Sequence, residues 1–180
     1  MTIRVKYRDF FPVNIKFFLR ITKTIIFILL SSNFFDIMTI KEIENQIIEE
    51  FALFDDWMDK YNYIIEIGKE LPLIDVYYKT PQYLISGCQS QVWLYAEFID
   101  GKVIFTADSD AIITKGIVNL LIKVLSHQTP QDILDANLNY IDQVGLKDHL
   151  SPTRSNGLLS MIKQIKMYAL AFQQQSQQTI

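Results

Sequence analysis

From Thr39 onward the apolar positions fall at helical spacing. Ile40, Ile43, Ile47, Phe51 and Phe54 recur three and four residues apart, which predicts an amphipathic helix with one buried stripe. Thr39-Ile-Lys-Glu42 has the form of a capping box, so the helix is expected to start there. A second helical pattern runs from about Asp56 to Glu70, with Met58, Tyr61, Ile64 and Ile65 on its apolar side. Leu71-Pro72 ends it, because a residue before proline is pushed out of the helical region.

The period then changes. Residues 73–81 read as a loop, and Pro81 to Ser86 as a short strand entering a turn at Gly87. Val92-Trp-Leu-Tyr-Ala-Glu-Phe-Ile99 alternates and is rich in β-formers. Asp100-Gly101 marks a hairpin, with Lys102 to Ala107 as the returning strand. A three-stranded antiparallel sheet is the expectation. Asp108-Ser-Asp110 is placed to cap the next helix, in which Ile112, Ile113, Ile117, Leu120, Leu121, Val124 and Leu125 are apolar on most sides. Such a helix belongs in the centre of the core. Thr129-Pro130 starts another helix, with Thr as cap and Pro in the first turn. After a turn near Gly145, the stretch from Ser151 to Gly157 leads into a last helix with Leu158, Met161, Ile162, Ile165, Tyr168, Ala169 and Phe172 on one face. The polar residues 173–180 are expected to fray. Helices flanking one contiguous sheet make the class α+β.

Residues 1–37 break this picture. They hold six basic and two acidic residues around an apolar centre, Thr24-Ile-Ile-Phe-Ile-Leu-Leu30. The stretch lacks the small-x-small cleavage site of a secretory signal. Its uncharged run, Thr24 to Phe35, is shorter than the roughly 20 residues a span requires. The expectation is an N-terminal extension over 1–37, from a mis-assigned start, and a working domain over 38–180 that begins near Met38. A membrane-surface anchor or a cleaved signal are the other readings.

Charge and composition narrow the chemistry. The chain has 180 residues and a net charge of −3. The first 37 residues carry +4, so the remainder carries −7. An acidic body without a basic face argues against a nucleic-acid partner. There is one cysteine, Cys88, and two histidines, His127 and His149. That excludes an internal disulfide and the usual cysteine-paired zinc sites. Neither GxxxxGK[ST] nor GxGxxG occurs, so no phosphate loop is indicated.

Cys88 lies in Ile85-Ser-Gly-Cys-Gln-Ser-Gln91, a polar turn between strands where a partner protein could reach a thiol. The other reading is a small buried apolar residue. Arg154 falls at a helix start, against the helix dipole, which hints at an anionic partner; a solvated side chain or a structural ion pair is the plainer reading. Asp108 and Asp110 read first as caps, with Asp108 at the active loop or a partner surface as the sharper alternative. His149 reads as structural, since no nucleophile elbow accompanies it. Trp57 and Trp93 read as core or interface residues.

Three blocks together resemble the SufE family. They are Gly87-Cys-Gln-Ser-Gln-Val-Trp93, Ala107-Asp-Ser-Asp-Ala-Ile-Ile-Thr-Lys-Gly116 and His149-Leu-Ser-Pro-Thr-Arg-Ser-Asn-Gly157. The resemblance covers about residues 39–172. It implies a fold shared with the IscU-type scaffolds. It also implies a sulfur acceptor that serves and stimulates a SufS-like cysteine desulfurase and passes sulfur to a SufB-like iron–sulfur scaffold complex. Cys88 falls on the persulfide-accepting position. Gly87, Gln89, Ser90, Gln91, Asp108 and Arg154 fall on supporting or partner-binding positions. No cofactor of its own is implied, because the pyridoxal phosphate belongs to the desulfurase. A cytoplasmic location follows from the same likeness, and a homodimer stays open. One cysteine could hardly hold a cluster unaided, which separates carrier from scaffold. The rival readings are a thiol-dependent peroxidase or hydrolase using Cys88, and a non-catalytic module that binds partners through the same surface.

Overall fold

The computed structural model describes residues 38–177. The extension expected over residues 1–37 lies outside the described residues, and so does the end of the tail. Helix α1 (Ile40–Phe51) opens with the expected capping box: the Glu42 amide donates to Thr39 Oγ1 at 3.3 Å, and the Thr39 amide donates to Glu42 Oε2 at 2.8 Å. Ile43, Ile47 and Phe51 are buried, as their spacing requires. Helix α2 (Trp57–Ile67) is capped by Asp56, whose Oδ1 accepts from the Asp59 amide at 2.8 Å. A 3₁₀ turn (Gly68–Glu70) carries it to Leu71-Pro72. Its buried face is Ile64 and Ile67, while Met58 lies 64% exposed, off that stripe.

Strands β1 (Val92–Ile99) and β2 (Lys102–Ser109) form an antiparallel hairpin with Val92 opposite Ser109 and Ile99 opposite Lys102. Asp100 and Gly101 have φ of 50° and 81°. Two positive values in a two-residue turn are what a type I′ hairpin needs.

The expected third strand does not form among the described residues. Pro81–Tyr83 is a 3₁₀ turn, and pairing reduces to one bridge, Leu84 with Trp93, beside the Ile85 amide bonded to the Val92 carbonyl at 2.8 Å. Pro81 has no N–H for a ladder, and Gly87 at φ 88° turns the chain before pairing can extend. The opposite edge, that of β2, is met by two isolated bridges, a parallel one between Leu73 and Ala107 and an antiparallel one between Val103 and Gln128.

Helix α3 (Ile112–Leu125) is buried along nearly its whole length and packs on α2, on β2 and on the last helix. Its crossing with α2 is close. A Cβ at Gly116 would stand 2.0 Å from the Ile64 carbonyl oxygen, so the backbones meet where side chains would otherwise separate them. The expected Asp108–Asp110 cap is not used. The N-cap is Ala111, without a side-chain bond, because β2 runs on to Ser109 and the aspartates are engaged elsewhere.

Short helices follow: α4 (Pro130–Asp135), capped by Thr129, α5 (Tyr140–Gln143) and α6 (Leu146–His149). Helix α7 (Pro152–Gln177) closes the domain, burying Leu158, Met161, Ile165 and Ala169. It outlasts the sequence expectation. Residues 173–177 stay helical, since glutamine is a good helix former and the Gln173 side-chain amide donates to Gln131 Oε1. The class is α+β, with a two-stranded sheet among the described residues. No helix among the described residues is long and apolar enough to cross a membrane.

Candidate functional site

The antiparallel register decides what lies near Cys88. Its loop enters β1 at Val92, and β2 leaves opposite at Ser109, so the cysteine block and the aspartate block of the sequence reach the same end of the hairpin. Gln91 ties them together by its backbone. Its amide donates to Asp110 Oδ1 at 3.0 Å, and its carbonyl accepts from Ser109 Oγ at 2.7 Å.

Cys88 is half-buried at a cavity of about 370 Å³. Gln89, Ser90, Asp110 and Arg154 share the lining, and Ile113 and Met161 form apolar wall. The thiol donates a long bond to the Gly157 carbonyl, Sγ to O at 3.6 Å. Sulfur is a weak donor, so this holds the loop lightly. Gly157 lets helix α7 come that near: a Cβ there would lie 3.4 Å from Cys88 Sγ. Gly87 does the same on the other side. Its φ of 88° is natural to glycine, and a Cβ would stand 2.8 Å from Ser160 Oγ. Burial pushes the Cys88 thiol above its ordinary value, so the closed loop holds it protonated. Gln89 is fastened to the α7 start, where Thr153 Oγ1 donates to its Oε1 at 3.3 Å.

Arg154 is exposed in the first turn of α7. It lines the same cavity as Cys88 and makes no hydrogen bond or ion pair among the described residues. The plain reading of a structural ion pair therefore has no partner there. Asp108 does not take the cap reading given above. It lies 7% exposed, outside the cavity lining, with Lys79 Nζ on Oδ2 and Lys115 Nζ on Oδ1 at 2.7 Å. Its Oδ1 also accepts from the Ser109 amide at 2.8 Å. Burial pushes this carboxyl up, but Lys115, Lys79 and the Ser109 amide outweigh burial and hold it below the usual carboxylate range. Asp108 is thus neither a helix cap nor a wall of the Cys88 cavity; it fastens the segment around Lys79 and helix α3 to the end of β2.

Reasoning from sequence missed Gly157, Thr153 and Met161 as lining residues of the Cys88 cavity. The signal for Gly157 and Thr153 was membership of the block that carries Arg154; Met161 gave none beyond its place on the apolar helix face. His149 stacks on Trp57 with ring centroids 4.0 Å apart, and its Nδ1 lies 2.9 Å from the Gly145 carbonyl oxygen, to which it donates. Both contacts fit the structural reading. Among the described residues no group of His, Cys, Asp or Glu is spaced to hold a metal ion.

Known proteins resemble this chain. A family model described as SufE: Fe-S metabolism associated domain matches residues 45–169. An uncharacterized SufE-like protein of Rhizobium meliloti is 40% identical over 131 residues, covering 69% of this chain and 93% of that protein. A second, from Rhizobium etli, is 40% identical over 128 residues, covering 68% and 86%. The solution structure of a hypothetical protein from Thermus thermophilus superposes with a TM-score of 0.61 at 18% identity, over 72% of this chain and 94% of that one. That last likeness is one of fold.

Proposed function

This chain belongs to the SufE family, associated with Fe–S metabolism, and from that premise we propose that it is a persulfide carrier working through Cys88. The observation that carries the reading is a lone, half-buried thiol beside an unpaired guanidinium in a partly apolar cavity. The donor is a cysteine desulfurase holding a persulfide on its own cysteine. The Cys88 thiolate attacks the terminal sulfur of that persulfide. A new S–S bond forms on Cys88, the donor's S–S bond breaks, and the donor sulfur leaves as thiolate, taking up the proton Cys88 gave up. No external oxidant or reductant is required, because one persulfide replaces another. The recipient is an iron–sulfur scaffold, reached by the same exchange in reverse roles.

The closed loop suits storage better than attack. A thiol raised by burial is a poor nucleophile near neutral pH, since the thiolate is the reacting form. Docking is therefore proposed to swing the loop around Cys88 outward, breaking the weak Cys88 bond to the Gly157 carbonyl and the long Thr153–Gln89 bond. Arg154, exposed and unpaired at the cavity, is the cation available to stabilise the thiolate or the incoming persulfide anion. Asp108 takes part indirectly, by fixing the strand end from which the loop hangs.

The test is mass spectrometry after mixing the protein with a cysteine desulfurase and cysteine. A gain of one sulfur, about 32 Da, is expected on the Cys88 peptide, lost on treatment with a thiol reductant. An unmodified Cys88, with the desulfurase turning over, would overturn the reading.

A further inference from the structure

Helix α3 presents one buried hydroxyl to the Cys88 cavity. Thr114 stands in its first turn, 7% exposed, and lines that cavity beside Ile113 and Ile117. A threonine inside a helix ordinarily points to water or bonds the carbonyl four residues back. Thr114 does neither: its Oγ1 has no hydrogen-bond partner among the described residues. The hydroxyl is open to the cavity rather than sealed, since the unmet polar side-chain atom shut off from open space among the described residues is Glu44 Oε1. Buried polar groups are nearly always paired, so an unmet one facing a reactive residue asks what it pairs with.

The free thiol does not supply the partner. Cys88 Sγ donates to the Gly157 carbonyl at 3.6 Å and makes no bond to Thr114. A persulfide reaches further. An S–S bond of about 2.05 Å carries a second sulfur beyond Sγ. The cavity of about 370 Å³ has room for it, since a water molecule takes only about 30 Å³ of liquid. A persulfide also ionises more readily than a thiol, and its charge sits on the terminal sulfur. An anion moved from water into a partly apolar cavity needs donors. The charged groups facing the cavity are Asp110, from the link between β2 and α3, and Arg154, from α7. Both are exposed, and Lys115, next along α3, is committed to Asp108. Of the polar side chains in the lining, Thr114 alone is buried.

We propose that Thr114 binds the terminal sulfur of the Cys88 persulfide. Its hydroxyl donates to the sulfur anion from the buried wall, and Arg154 supplies the positive charge. No bond to sulfur forms or breaks in this step: the persulfide gives its proton to solvent, and the anion accepts the Thr114 hydrogen bond. The inference rests on the reading of Cys88 as a persulfide carrier and adds to it the residue that holds the cargo. It assigns Thr114 no part in the free thiol, whose partner is the Gly157 carbonyl.

The test compares loaded and unloaded protein. The full chain, with its one cysteine, is loaded with sodium polysulfide, so that no docking step enters. Alkylation of the Cys88 sulfur by iodoacetamide is then followed against pH by mass spectrometry. Thr114→Val keeps the shape of the side chain and removes the donor. In the loaded protein it should move the inflection up by about one pH unit, a tenfold loss of ionisation, as removal of one hydrogen bond to a charged group does. Thr114→Ser should restore the wild-type inflection. In the unloaded protein neither substitution should move the thiol inflection. An unmoved inflection in loaded Thr114→Val overturns the inference and leaves the carrier reading standing. So does an equal shift in the unloaded protein, which a merely structural role would produce. Failure of a desulfurase to place sulfur on the wild-type chain overturns the carrier reading, and the inference with it.

Discussion

Cys88 and Asp108 sit at the same end of one hairpin, yet their surroundings are opposite. Asp108 has every strong partner a carboxylate can use: two ammonium groups and a backbone amide. Cys88 has one long bond from a weak donor, and a cavity beside it. A saturated group resists movement, because each partner lost leaves a buried charge unmet. A weakly held group can leave at small cost. The comparison teaches that the two residues are held differently: Asp108 is tied to the strand end by three partners, whereas one weak bond holds the Cys88 thiol.

The comparison breaks most sharply at the thiol. Cys88→Ser should abolish sulfur acceptance and stimulation of the desulfurase while shifting the melting temperature little, since one weak bond and a small side chain change. Stimulation surviving in the variant would favour the binding-module reading.

Asp108→Asn should cost about 1–3 kcal/mol of stability, measured by urea unfolding, because Lys79 and Lys115 lose their counter-charge. The pH dependence has a definite sign. The carboxyl is held low in the fold, so its contribution is present above the unfolded value near 3.9 and is lost as pH falls through the lower folded one. The variant should therefore show a flatter loss of stability below about pH 4. An unchanged acid limb would mean that Asp108 does not anchor the strand end.

Gly87→Ala comes next. A positive φ and a Cβ facing Ser160 Oγ at 2.8 Å should cost about 1 kcal/mol or somewhat more. The strain falls on the closed loop, so Cys88 should alkylate faster at neutral pH. A slower reaction would refute the closed-loop account.

Arg154→Ala is expected to change stability least, within about 0.5 kcal/mol, as an exposed side chain without partners should. Its effect belongs to the thiol. In the free protein, alkylation of Cys88 should inflect above the ordinary thiol value of about 8.5. With the desulfurase bound, the inflection should fall in the wild type and fall less in Arg154→Ala. Identical profiles would leave Arg154 without a role in activation.

Much of the fold could be read from the chain. Helix α1 follows from its capping box and its three-and-four spacing, and the hairpin from alternation around Asp100-Gly101, because both signals are local. The third strand and the helix cap could not. Whether residues 81–86 pair depends on Pro81 and Gly87 competing with a neighbouring edge. Whether Asp108 caps a helix or meets lysines depends on Lys79, distant in sequence.

The candidate site divides the same way. By itself the sequence singled out the candidate reacting group: one cysteine, in a polar turn, within blocks that mark the family. Tertiary structure decided its state. Gly157, about seventy residues away, packs on the thiol, and burial holds it protonated. The physical reason is that residue identity is written locally, whereas desolvation and charge pairing are set by whichever segments the fold brings together.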